Sequence, residues 1–156
     1  FAARGHNAWS CDLLPSDRPN PKHIQRDILE VMDGDWDLAI FHPPCTDLAI
    51  SGAAHFPEKI KDGRQQRAIE FVERLYYCGI PRICIENPVG VLSTKSRLGK
   101  PTQYVQPYEY GHFETKKLPN FHQVIQLKLV FHQIDVIFLI AQIKHLNKKN
   151  RNTNYL

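Results

Sequence analysis

Four apolar residues, Leu38-Ala39-Ile40-Phe41, run without a turn former and are stopped by Pro43-Pro44. So short and apolar a run reads as a strand buried on both faces of a parallel sheet, although four residues also fit a piece of buried helix. The two prolines remove two backbone donors and fix two φ angles, so neither strand nor helix continues through them. The chain must make a stiff turn at the carboxyl end of a strand, and Cys45 is the residue that follows. In open α/β sheets, ligands gather outside the carboxyl ends of the strands. A rigid turn can hold a nucleophilic thiol there; a small buried hydrophobe is the other reading of such a cysteine.

A second stretch, Ile80 to Pro88, repeats the pattern. Ile83-Cys84-Ile85 reads as a short buried strand with Glu86-Asn87-Pro88 at its end. Between the two strands, Ala68, Phe71, Val72 and Leu75 fall at helical spacing, with Arg64, Arg67, Glu70, Glu73 and Arg74 around the rest of the wheel. Gly79 suits a helix stop and Pro81 follows it. The order strand, loop, helix, strand is a βαβ unit with an expected right-handed crossover. If its strands are neighbours, Cys45 and Glu86 emerge at the same edge of the sheet. A thiol and a carboxyl group in one cleft can perform covalent attack and proton donation.

Phe41-His42-Pro43-Pro44-Cys45-Thr46, followed about forty residues later by Ile85-Glu86-Asn87-Pro88, resembles the DNA cytosine carbon-5 methyltransferases. The likeness is to the short phage and bacterial type. It spans roughly residues 1 to 117. The resemblance implies an α/β, Rossmann-like S-adenosylmethionine-dependent methyltransferase fold with a mostly parallel sheet. It makes Cys45 the nucleophile and Glu86 the acid that protonates the base. It puts Asp12, Leu13, Asp27 and Pro43 on the cofactor, S-adenosyl-L-methionine, and Pro44, Thr46 and Asn87 on the DNA substrate. His42 stands where the family usually has Gly and would crowd the cofactor side; Thr46 stands where a Gln is usual.

Composition sets the outer bounds. Hydrophobic residues make up 42% and charged residues 23% of 156, ordinary for one globular domain. The four cysteines, Cys11, Cys45, Cys78 and Cys84, form no CxxC pair and no metal-ligand spacing. The expectation is a reducing, cytoplasmic setting with no disulfide framework and no metal. Neither signal peptide nor membrane span is visible, and a monomer is expected. The net charge of +4 comes from the end of the chain: five Lys/Arg against one acid follow Pro119, and the first 119 residues balance. A basic footprint for DNA is therefore absent from the catalytic part in bulk.

Along the chain, Phe1 to His6 reads as a last helical turn stopped by Gly5, and Asn7 to Cys11 as a strand ending at Asp12. Leu13 to Lys22 is a proline-rich loop, and Leu29 to Met32 a short helix closed by Gly34. Thr46 to Lys59 and Val89 to Pro101 read as loops, and Tyr104 to His112 as an extended aromatic segment able to stack a base or cover a sheet edge. Residues 1–119 are read as a partial methyltransferase-like catalytic domain and 120–156 as a basic tail of unclear structure, rich in Ile, Leu, Phe and His before an Asn/Lys-rich end.

In the family, a first strand with a Gly-rich turn lies between the strand ending at Asp12 and the one ending near Cys45. That strand is expected to be missing here, the chain starting inside a helix. The fragment is then expected to be inactive and marginally stable; the run Val136 to Ile143 can insert into the gap, but it carries no Gly-rich turn to hold a cofactor. Two other functions fit the residues. One is a catalytically inactive remnant or nucleic-acid-binding module; the other is a pyrimidine-nucleotide modifying enzyme using the same Cys and Glu.

Overall fold

The computed structural model describes residues 1–105, 122–125 and 136–139. Its strands are β1 (Trp9–Asp12), β2 (His23–Gln25), β3 (Leu38–Phe41), β4 (Ile83–Pro88), β5 (Gln103–Val105), β6 (His122–Ile125) and β7 (Val136–Leu139). Its α-helices are α1 (Phe56–Lys61), α2 (Arg64–Tyr76) and α3 (Leu92–Lys95); Ala2–Arg4, Ile28–Glu30 and Ile50–His55 are 3-10 turns. One mixed sheet takes the strands in the order β2-β1-β7-β3-β4-β6-β5. The five strands from β2 to β4 are mutually parallel, and β6 and β5 continue the sheet antiparallel. The chain is thus of α/β class.

The central strand behaves as its composition dictates. Leu38, Ala39 and Phe41 are buried, with no alternation of wet and dry faces. Parallel β3 and β4 need a crossover, and α1 and α2 supply it. Ile69, Val72 and Leu75 form the buried stripe of α2 and join Phe41, Leu48, Ile85 and Leu92 in one core. Gly63, at φ 75°, opens the helix, and Asp62 Oδ1 accepts from Arg64 N at 3.0 Å.

Four sequence expectations are corrected. The gap between β1 and β3 is filled by β7, which pairs in parallel with both: Trp9 opposite Ile137 on one side, Ala39 opposite Ile137 on the other. Val136-Ile137-Phe138-Leu139 is the same kind of apolar, β-favouring run as β3, so it suits a slot with a strand on each side. Glu86, Asn87 and Pro88 lie inside β4 rather than beyond it, because β6 pairs with them on the side away from β3. Part of the expected loop 46–59 is the 3-10 turn Ile50–His55 and the start of α1, with Pro57 in the first helical turn, where no N–H is needed. The loop 89–101 contains α3, anchored by buried Leu92.

The 3-10 turns Ala2–Arg4 and Ile28–Glu30 stand near the two short helical pieces expected there, the first stopped by Gly5 at φ 84°. Of the extended aromatic segment, Tyr104 and Val105 lie in strand β5, Gln103–Val105; residues 106–112 lie outside the described residues. Strands β6 and β7 come from beyond residue 119 and share the sheet with β1, β3 and β4. Among the described residues no helix is long and apolar enough to cross a membrane.

Candidate active site

Phe41 lies opposite Ile85 in the parallel pairing of β3 and β4, so the residues after each leave at the same level of one edge. At that level His42 Nδ1 and Glu86 Oε2 are 2.9 Å apart, with the side chains 36% and 26% exposed. His42 therefore faces the neighbouring strand, where the sequence reading expected it to crowd a cofactor. One step further, Pro43 and Pro44 have no N–H to give to a ladder. The Pro43 carbonyl instead accepts from Asn87 Nδ2 at 3.4 Å. Asn87 is 0% exposed, and its Oδ1 is buried without a hydrogen-bond partner among the described residues.

The turn after the prolines is closed by its own backbone. The Cys45 carbonyl accepts from Leu48 N at 3.0 Å and from Ala49 N at 2.9 Å. Ala49 then bridges to Gly90, and Ile50 N donates to the Val89 carbonyl while Val91 N donates to the Leu48 carbonyl, each at 3.0 Å. The segment after Cys45 is thereby tied to the segment after β4. Gly90 makes this approach possible, because a Cβ there would stand 2.0 Å from the Leu48 carbonyl oxygen.

A buried lysine supports the same turn. Lys59 in α1 is 6% exposed, and its ammonium donates to the Thr46 carbonyl. Asp47 Oδ1 lies 3.4 Å from Nζ, as an ion pair without hydrogen-bond geometry. Cys45 is half-buried, Pro44 half-buried, Pro43 buried and Thr46 exposed. The other thiols are withdrawn from chemistry. Burial pushes Cys11 up to about 11, and burial together with the Glu86 charge pushes Cys84 up to about 11. Burial also raises Cys78. A thiolate is the nucleophilic form, so these three cysteines are poor nucleophiles at neutral pH.

Asp12 ends β1 and Asp27 follows β2, and both strands run parallel to β3, so the two acids stand at the same sheet edge as the Cys45 turn. Asp12 Oδ1 accepts from Leu14 N at 3.0 Å; Asp27 Oδ1 accepts from Leu29 N at 2.9 Å and caps the 3-10 turn there. Leu13 is exposed beside them. A carboxylate at a strand end can accept from the ribose hydroxyls of a nucleoside. The sequence after β7, Ile140-Ala141-Gln142, holds no glycine to cradle the remainder of such a group.

Sequence reasoning reached the edge residues but missed three supports. That His42 partners Glu86 carried no local signal. Lys59 carried no signal, since the stretch Thr46 to Lys59 reads as a loop. Gly90 was read as a mere loop residue, although a glycine so soon after Asn87-Pro88 is the available hint of close backbone approach. Among the described residues no group of His, Cys, Asp and Glu is arranged to hold a metal ion. No family model, curated protein or solved structure matches the chain.

Proposed function

We propose that this chain carries the catalytic centre of a DNA cytosine carbon-5 methyltransferase on a Rossmann-like sheet. The observation that supports the reading is the parallel register of β3 on β4. It brings the Pro-Pro-Cys turn and the Glu86-Asn87-Pro88 segment to one edge, joined by the Asn87–Pro43 hydrogen bond.

The chemistry follows from what cytosine lacks. Its carbon 5 is a weak nucleophile until the ring conjugation is broken. The Cys45 thiolate adds to carbon 6, and Glu86 as the acid protonates ring nitrogen 3 where charge develops. Carbon 5 then carries the electron pair. Bound S-adenosylmethionine supplies an electrophilic methyl group to that carbon, and Asp12, Leu13, Asp27 and Pro43 would hold it. Loss of the carbon 5 proton expels Cys45 and restores the ring. The base must leave the helix because its faces are covered in the stack. Pro44 and Thr46 would meet the flipped base; Asn87, assigned to the substrate with them, is buried and donates to the Pro43 carbonyl, so it would act on the base through that turn. A reducing, cytoplasmic setting accords with the four free thiols.

The test is transfer of labelled methyl from S-adenosylmethionine to duplex DNA by wild type and by Cys45→Ser. Label in wild-type reactions and none with Cys45→Ser is the expected result, since a hydroxyl is a far weaker nucleophile at neutral pH. Duplex substituted with fluorine at cytosine carbon 5 should trap a covalent adduct, because no proton can leave. An active Cys45→Ser chain, or label on free cytidine nucleotides and none on DNA, would sink the reading.

A further inference from the structure

The His42–Glu86 contact has no place in the mechanism so far, and it meets a need of that mechanism. Covalent addition requires Cys45 without its proton and Glu86 with one. One proton moved from sulfur to the carboxylate meets both needs at once.

We propose that His42 is a catalytic proton relay between Cys45 and Glu86, an inference that rests on the methyltransferase reading. Its first support is the 2.9 Å contact of Nδ1 with Glu86 Oε2. A carboxylate accepting there fixes the tautomer with hydrogen on Nδ1, so Nε2 carries the basic lone pair. Its second support is the linker. Proline fixes its own φ near −65° and drives the residue before it to extended backbone. His42 and Pro43 both precede a proline, so the path from His42 to Cys45 is held close to polyproline II geometry. That helix has about three residues per turn and rises about 3.1 Å per residue, which sets residues i and i+3 on one side, about 9 Å apart along the chain. Among the described residues the hydrogen bond His42 makes is to Glu86 and none joins it to Cys45, so the proposed transfer crosses that span through one water.

The step balances. The Cys45 Sγ proton passes to His42 Nε2, and the Nδ1 proton passes to Glu86 Oε2. The products are a thiolate, a carboxylic acid and an imidazole that is neutral again with its hydrogen on Nε2. As sulfur bonds to carbon 6, Glu86 gives its proton to ring nitrogen 3. On release of the product the same proton returns by the reverse path.

Alkylation of Cys45 by iodoacetamide at neutral pH, followed by peptide mass spectrometry, tests the relay without DNA or cofactor. His42→Asn keeps a donor for Glu86 but has no second nitrogen to take the thiol proton. It should slow alkylation about tenfold, whereas a positioning role for His42 would leave the rate near wild type. Glu86→Gln separates the relay from plain electrostatics. Removing a nearby negative charge should speed thiolate alkylation, and removing the terminal acceptor of a relay should slow it by a similar factor of about ten. The double variant should be no slower than either single one. Thermal melts check that each variant is folded, and Cys45→Ser gives the background. A His42→Asn rate within about twofold of wild type, or faster alkylation of Glu86→Gln, overturns the relay. Slow alkylation in both variants with no methyl transfer by wild type keeps the relay and ends the methyltransferase reading. Unchanged alkylation with active methyl transfer does the reverse.

Discussion

Lys59 is a charged residue with almost no water. Its ammonium is spent on the Thr46 carbonyl and the Asp47 carboxylate, immediately after the candidate nucleophile. Breaking such a pair from one side leaves the other charge buried and alone, which is where the cost lies. Lys59→Met should therefore lower stability by about 2 kcal/mol, at the low end for a buried pair because Asp47 keeps some exposure. Adding Asp47→Asn should recover part of that loss. Urea midpoints of the two variants decide it, and an unchanged midpoint for Lys59→Met would show that the ammonium carries no such load. At this scale the sequence was legible where residue type names a chemistry. Cys45 after two prolines and Glu86 before Asn-Pro announce themselves. His42 and Lys59 do not, since each acquires its role from a partner 44 residues away in one case and 13 in the other.

Helix α2 of the crossover is clamped near both ends by residues that follow β4. Lys95 of α3 donates to Gln65 Oε1 of α2 at 2.7 Å, and Arg97 meets Glu73 twice, through its backbone N at 2.7 Å and its Nε at 3.0 Å. The Arg97 backbone amide first, and its guanidinium second, hold the Glu73 carboxyl below the usual carboxylate range. A carboxyl group whose pKa is depressed on folding stabilises the fold above its unfolded pKa. That contribution is lost as pH falls through the depressed value. Glu73→Gln should thus be less stable than wild type at neutral pH, and the gap should close on acidification through the carboxylate range. The gap should stay under about 1 kcal/mol, because the Arg97 guanidinium is largely exposed. Melts of both proteins across acid and neutral pH measure it, and a constant gap would show that the Glu73 charge is not its source. Elements with strong periodicity or hard stops were readable: β3 before its prolines, and α2 from its stripe. Strand β2 was not, because His23-Ile24-Gln25 is too short to show a period and holds one apolar residue. It is a strand by virtue of its partner β1, with Ser10 Oγ and His23 Nδ1 2.9 Å apart across the pair.

For the whole molecule, the decisive placement is β7 between β1 and β3. Ile137 is paired on both sides, so its N–H has a ladder to serve whichever neighbour it points to. Ile137→Pro removes that donor from a strand with no free edge and should cost about 2 kcal/mol or more. Urea unfolding followed by circular dichroism measures it; wild-type stability in the proline variant would mean that β7 does not sit in the sheet. The sequence by itself determined the local facts: a strand ended by two prolines, a helix with one apolar stripe, a thiol and a carboxyl group at strand ends. Those rest on φ limits, missing donors and side-chain periodicity, which act within a few residues. Only the tertiary structure decided that the run beginning at Val136 takes the slot beside β3, that β6 extends pairing through Glu86-Asn87-Pro88, and that His42 turns toward Glu86. A strand's hydrogen-bond partners lie on other strands, so any apolar run of matching length competes for the same edge. Packing of the complete chain selects among them.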